Sequence, residues 1–172
     1  MTRNRILVAV LIAVLAGAVG CGSGQSERNA AMLFAVGDCV SFPAGTPSAP
    51  DVTRAAKVAC SADPSYTVGA VADATGACPS DEYQHLPAKL ADPSTARLCL
   101  VPNLVTYHCY ELGVPAGVMG LADCTSRGNG VLVQVTQRLD DVQDASSCPK
   151  ASGEYAWRYP SPARTYCTRT LY

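Results

Sequence analysis

The chain is short of the residues that carry most enzyme chemistry: two histidines, one tryptophan and two phenylalanines in 172 residues, with only 16% charged. Each shortage narrows what it can do. His85 and His108 are far apart, and no cysteine or histidine cluster of short spacing surrounds either, so the usual zinc ligand set is missing. No Cys-x-x-Cys pair exists; the nearest two cysteines, Cys99 and Cys109, are 10 apart. No serine stands in a Gly-x-Ser-x-Gly elbow, and hydrolysis needs a nucleophile, a base and an orienting group together. Asp140 and Asp141 are adjacent carboxylates, but neighbours at a strand end point apart into water. Thirteen basic residues face 14 acidic ones, so there is no electrostatic footprint for nucleic acid. No catalytic residue, metal or cofactor is expected, and the chain reads as non-enzymatic. An envelope enzyme or redox protein using His85 or His108 is the alternative.

What the chain does have begins at its first residue. Arg3 and Arg5 precede an uncharged run from Ile6 to Val19, the layout of a signal peptide. Crossing a bilayer takes about 20 apolar residues, and this run meets glycine, cysteine and polar residues too soon. The segment "LAGAVGC" resembles a bacterial lipobox, in which small residues precede a cysteine that is acylated and becomes the new N-terminus. Ala18 stands where leucine is commonest, three residues before Cys21. The competing reading is an ordinary secretory signal with Cys21 a stray thiol. Residues 1–20 are thus expected to be removed, Cys21 to carry the membrane anchor, and the small polar stretch to residue 32 to act as a flexible tether. Eleven basic against 14 acidic residues would remain, a net charge of −3. The expected location is the outer face of the plasma membrane.

Eight cysteines remain: Cys39, Cys60, Cys78, Cys99, Cys109, Cys124, Cys148 and Cys167. An even number in an exported chain argues for a disulfide framework. The order of landmarks repeats. "GDC", "KVACS", "YTVGAVA", "CPSDEY" and "RLCLV" are followed by "YHC", "LADCTS", "VLVQVTQ", "CPKASGEY" and "TYCTRTL". Cysteine spacings of 21, 18 and 21 in the first set become 15, 24 and 19 in the second, differing by loop-sized amounts.

Two Cys-rich repeats follow, residues 33–103 and 104–172, with only Pro102, Asn103 and Leu104 between their motifs. Pairing neighbours within each repeat closes short loops and would add roughly 3 kcal/mol per bond; other pairings within a repeat stay open. Each repeat reads as a three-stranded antiparallel meander, then a short helix begun by the Cys-Pro, then a closing strand. Pro79 suits a first helical turn, and Asp81 and Glu82 suit its positive end. The expected fold is α+β, two tandem β-β-β-(short α)-β units packed as one pseudo-symmetric body.

One stretch could bind a ligand. In "EYAWRYP", Tyr155, Trp157 and Tyr159 recur every second residue and would line one face of an extended segment, a stacking platform for a glycan, peptide or lipid. The same row also serves as core for a second repeat that has neither phenylalanine nor isoleucine, and that is the commoner use of such a row.

These landmarks resemble actinobacterial lipoproteins of the LppU type, related to septum-formation domains. The resemblance rests on "VGDCV" at 36–40, "VACS" at 58–61, Cys78-Pro79 and "LCL" at 98–100. It implies export, membrane anchoring and a repeated cysteine-rich module of the cell envelope, with no defined enzymatic activity and no residue-level role. The partner, an envelope protein or cell-wall component, is not specified.

Overall fold

The structure, a computed structural model, describes residues 33–42, 54–113, 118–125, 128 and 130–171. The leader, Cys21 and the tether lie outside them. Among the described residues there are nine strands: β1 (Cys39–Ser41), β2 (Ala56–Lys57), β3 (Tyr66–Val71), β4 (Leu98–Pro102), β5 (Cys109–Leu112), β6 (Met119–Ala122), β7 (Val131–Asp140), β8 (Glu154–Pro160) and β9 (Ala163–Thr170). They form two antiparallel sheets, ordered β2-β1-β3-β4 and β6-β5-β7-β9-β8. No described helix is long and apolar enough to cross a membrane.

The molecule is mainly β rather than α+β. Helical backbone among the described residues amounts to 3₁₀ turns at Thr95–Arg97 and Ala145–Ser147. The helix expected after Cys78 does not form, because its backbone is spent elsewhere. Gln84 N–H donates to the Leu100 carbonyl at 2.9 Å and the Gln84 carbonyl accepts Leu100 N–H at 2.8 Å, laying the segment against β4. Groups paired across to a strand cannot close i to i−4 helical bonds. Glu82, whose charge suited a helix start, instead meets Arg158 of β8 at 2.9 Å. In the second half Gly153, at φ +80°, turns the chain, and the residues after it extend as β8. The second sheet therefore has five strands, not four.

The meander is also corrected. Val40 of β1 pairs with both Lys57 and Tyr66, so β1 lies between β2 and β3. Cys109 of β5 likewise pairs with both Ala122 and Gln134. In each half the connection after the second strand carries a cysteine bonded back to the first strand, which draws the chain across that strand. A tight hairpin between the second and third strands is thereby excluded; Gly130, just before β7, donates its N–H to Glu111 Oε1 of β5 at 2.6 Å.

Four disulfides join cysteines that neighbour one another in chain order: Cys39–Cys60, Cys78–Cys99, Cys109–Cys124 and Cys148–Cys167. Their loops span 21, 21, 15 and 19 residues. Closures of that size restrict the unfolded chain by about 3 kcal/mol each on the chain-entropy argument. For sheets this small, such staples offset a limited core.

The main core lies between the sheets and is built from both. Ala72, Cys99, Val101 and Leu104 of the first half meet Tyr110, Met119, Val133, Val135, Tyr159 and Tyr166 of the second. The opposite face of the first sheet, with Val40, Tyr66, Val68 and Leu100, is covered by Phe34 and Ala55. Tyrosine supplies the bulk that phenylalanine does not. Tyr66, Tyr110 and Tyr166 are all fully buried, and each hydroxyl reaches a partner at the junction of the halves. Tyr66 accepts the Met119 N–H at 2.9 Å, and Tyr110 donates to Asp63 Oδ1 at 2.6 Å while accepting Val105 N–H at 2.9 Å. A buried aromatic with a polar tip fills the core and satisfies backbone groups that a phenylalanine would leave unpaired. Burial pushes the Tyr66 phenol up to about 12, so it stays neutral across the physiological range.

One glycine is required by this packing. Gly69 sits at the bulge in β3, and a β-carbon there would lie 2.0 Å from the Ser161 carbonyl and 2.6 Å from Tyr83 Cε1. The β8–β9 turn thus rests directly on the first sheet's backbone. Gly69→Ala is expected to push that turn off and to cost about 2 kcal/mol, read as a lowered urea midpoint under oxidising conditions. An unchanged midpoint would show that the turn is not seated there.

Candidate functional site

The residues singled out by type are each engaged separately. His85 donates Nε2–H to the Ala96 carbonyl at 2.7 Å, which leaves Nδ1 facing Cys78 Sγ at 3.5 Å. His108 Nδ1 meets Asp63 Oδ2 at 2.6 Å, and the second oxygen of that carboxylate takes the Tyr110 hydroxyl. Asp63 belongs to the first half, so the imidazole ties the β2–β3 loop to β5. Among the described residues no three His, Cys, Asp or Glu side chains gather as a metal site.

The aromatic row shares one face of β8, as the strand period requires, but its rings lie at three depths. Tyr159 is 2% exposed and packs edge-on to Tyr166, centroids 6.1 Å apart. Trp157 is half-buried, its Nε1–H donating to Thr168 Oγ1 at 2.8 Å. Tyr155 is 56% exposed. A three-ring stacking platform is therefore not presented; the row runs from core to solvent.

The densest chemistry surrounds the connector Pro102–Asn103–Leu104. Arg164, 8% exposed at the start of β9, sends Nη1 to the Pro102 carbonyl at 3.0 Å and to Asn103 Oδ1 at 2.7 Å. Its Nε donates to Asp140 Oδ1 at 2.9 Å. Tyr166 donates its hydroxyl to the same Pro102 carbonyl at 2.8 Å and accepts the Leu104 N–H at 3.0 Å. Arg138 Nη1 donates to the Leu104 carbonyl at 3.3 Å. On the far side Asn103 donates to Ser65 Oγ at 3.1 Å and accepts the Thr67 hydroxyl at 2.9 Å. Of the connector's polar groups, the Pro102 carbonyl, the Asn103 side chain and both Leu104 backbone groups are thus drawn into one network, and the Asn103 N–H donates to the Ser65 carbonyl at 2.7 Å.

The electrostatics follow from burial and pairing. Burial works against a charged Asp140, yet the hydrogen bonds and charges of Arg138 and Arg164 outweigh it and hold its carboxyl below the usual carboxylate range. Burial raises the Tyr166 phenol despite the nearby Arg164 and Arg138. Burial raises Tyr110 as well, assisted by the Asp63 carboxylate it donates to. The tyrosines are neutral donors and the two arginines and Asp140 are charged, which is the state the network needs.

The adjacent carboxylates divide. Asp140 joins the arginines, while Asp141, at φ +61°, ends β7 and gives its N–H to the Ala163 carbonyl. Arg164 was not singled out from the sequence because an arginine in a strand reads as solvent-facing. The signal was present: Arg164, Tyr166 and Thr168 alternate on the face shared with Tyr159 and Trp157, so Arg164 had to point the same way.

No protein-family model, curated protein or solved structure matches the chain. The reading of its function therefore rests on these residues.

Arg164→Met keeps the side chain's bulk and leaves the Pro102 and Asn103 oxygens short of a donor, an expected loss of about 3 kcal/mol in urea unfolding. Asp140→Asn has a pH signature. A carboxyl held low in the folded state stabilises above its unfolded value near pH ~4, and that contribution is lost as pH falls through the folded value. The stability gap between Asp140→Asn and the unsubstituted chain should close on acidification; a gap constant from neutral to acid pH would remove Asp140 from the network.

Proposed function

We propose that this chain is a non-enzymatic lipoprotein of the bacterial cell envelope, anchored to the outer face of the plasma membrane through Cys21 and serving as a rigid binding or scaffold module. The observation that carries the reading is the division of its cysteines. Eight are paired in the folded body, the habit of an oxidising compartment, and the ninth ends an apolar leader of lipobox pattern. The two histidines, which would serve catalysis, are committed to internal bonds: His108 to Asp63 across the two halves, and His85 to the Ala96 carbonyl within the first half. The resemblance to LppU-type lipoproteins points the same way.

The body itself is read as a duplicated unit. Strands β1, β2, β3 and β4 take the same order in their sheet as β5, β6, β7 and β9 do in theirs. Gly37 and Tyr107 both adopt left-handed backbone, at φ +94° and +69°. Around them the bonds match: Gly37 N–H to Val68 O and Val68 N–H to Asp38 O correspond to Tyr107 N–H to Val135 O and Val135 N–H to His108 O. The register then slips between Val68 and Ala70 in one sheet and between Val135 and Gln137 in the other. Two matching bulges beside two matching turns are hard to reach independently, so β8 is the second unit's addition.

Two measurements test the reading. Thiol alkylation of the folded, exported protein should modify no cysteine, the eight of the body being paired and the Cys21 sulfur carrying the lipid; two or more reactive thiols in the body would count against the reading. Cys21→Ala should abolish acylation and release the protein from the membrane. Unchanged retention would overturn the lipid anchor and leave the apolar leader as the attachment.

A further inference from the structure

The sheet edges among the described residues are short or occupied, with one exception. β2 is two residues long and leads into the disulfide at Cys60. β4 is covered by the Gln84 bridge to Leu100. β6 has four residues, with its Met119 N–H taken by the Tyr66 hydroxyl. β8, in contrast, runs for seven residues in unbroken register with β9 and has no described strand on its other side; only the Glu154 N–H at its start is taken, by the Ala151 carbonyl at 3.1 Å. It lacks lysine and bulges, and its proline comes only at the last position. Those are the devices by which proteins close an open edge. Tyr155, Ala156 and Arg158 are all exposed.

The strand is also complementary to itself. Set Glu154-Tyr155-Ala156-Trp157-Arg158 against an antiparallel copy centred on Ala156. Glu154 then stands opposite Arg158 and Tyr155 opposite Trp157, each pair occurring twice, with Ala156 on the twofold axis. Alternation puts the charged pairs on one face and the aromatic pairs on the other. Opposite charges and aromatic rings directly across an antiparallel ladder are favourable pairs.

We infer that the outer edge of β8 is a dimerisation surface whose occupant is a second copy of this chain. The two β8 strands pair about a twofold axis at Ala156, joining two five-stranded sheets into one continuous sheet. The aromatic row gains a role by this: Tyr155, exposed in one chain, lies over Trp157 of the other.

The test uses the full chain as the cell produces it, extracted in detergent, with mass determined by light scattering and sedimentation. The unsubstituted chain is expected to be dimeric. Glu154→Arg alone and Arg158→Glu alone each set like charges opposite one another and should weaken dimerisation by about tenfold or more. The double exchange restores the pairing and should restore the dimer, although Arg158 then no longer meets Glu82. A one-to-one mixture of the two single variants should form a heterodimer where neither variant self-associates. Ala156→Cys should give an intermolecular disulfide, because residues opposed on the axis lie within disulfide reach. A chain that stays monomeric at about 0.1 mM overturns the proposal. So does a dimer that neither single substitution weakens. Protection of the outer β8 amides in a monomer assigns the edge to another segment of the same chain, and likewise overturns it.

Discussion

A buried guanidinium holds this molecule together at its narrowest point. Three residues join the two halves, and Arg164 reaches from the second sheet to grip the Pro102 carbonyl and the Asn103 side chain. Leu104 is held by the Tyr166 hydroxyl and by Arg138. A charge buried in this way costs free energy unless it is paired and hydrogen-bonded, and here Asp140 neutralises it through Nε while Nη1 donates to the connector's oxygens. The connector is consequently a fixed part of the core rather than a hinge, and the shared apolar layer of Val101, Leu104, Tyr110 and Tyr166 can close around it.

The other supports divide the work by range. The four disulfides act within each half, closing loops of 21 residues or fewer. The tyrosine hydroxyls act between halves, with Tyr66 of β3 taking a proton donor from β6 and Tyr110 of β5 giving one to Asp63. Gly69 permits the β8–β9 turn to rest on β3 without a side chain between. Neither half has enough apolar surface to be comfortably stable alone, so the shared layer and its polar rim supply what the staples do not.

Much of this was legible in the residues and some was not, for physical reasons. The even set of eight cysteines marks the disulfide framework, and neighbours in chain order are the ones bonded. The segment after Cys78 misled because proline and two acids are local helix signals, whereas the decisive interactions are distant: Gln84 with Leu100 and Glu82 with Arg158. Strand order was hidden for a similar reason, since sequence adjacency favours a meander and the disulfides pull each second connection across the first strand. Arg164 was overlooked because charge is ordinarily a mark of the surface; its strand partners, Tyr159 opposite and Tyr166 two residues on, were the clue.

The central claim is that the gripped connector makes two small sheets into one cooperative unit. Native-state hydrogen exchange of the oxidised protein tests it at named amides. Leu104 N–H, Val68 N–H of β3 and Val135 N–H of β7 should open with one common free energy, equal to that of global unfolding. If Leu104 exchanges as freely as an exposed loop amide, or if Val68 opens at a distinctly lower free energy than Val135, the connector is a hinge and the account is wrong.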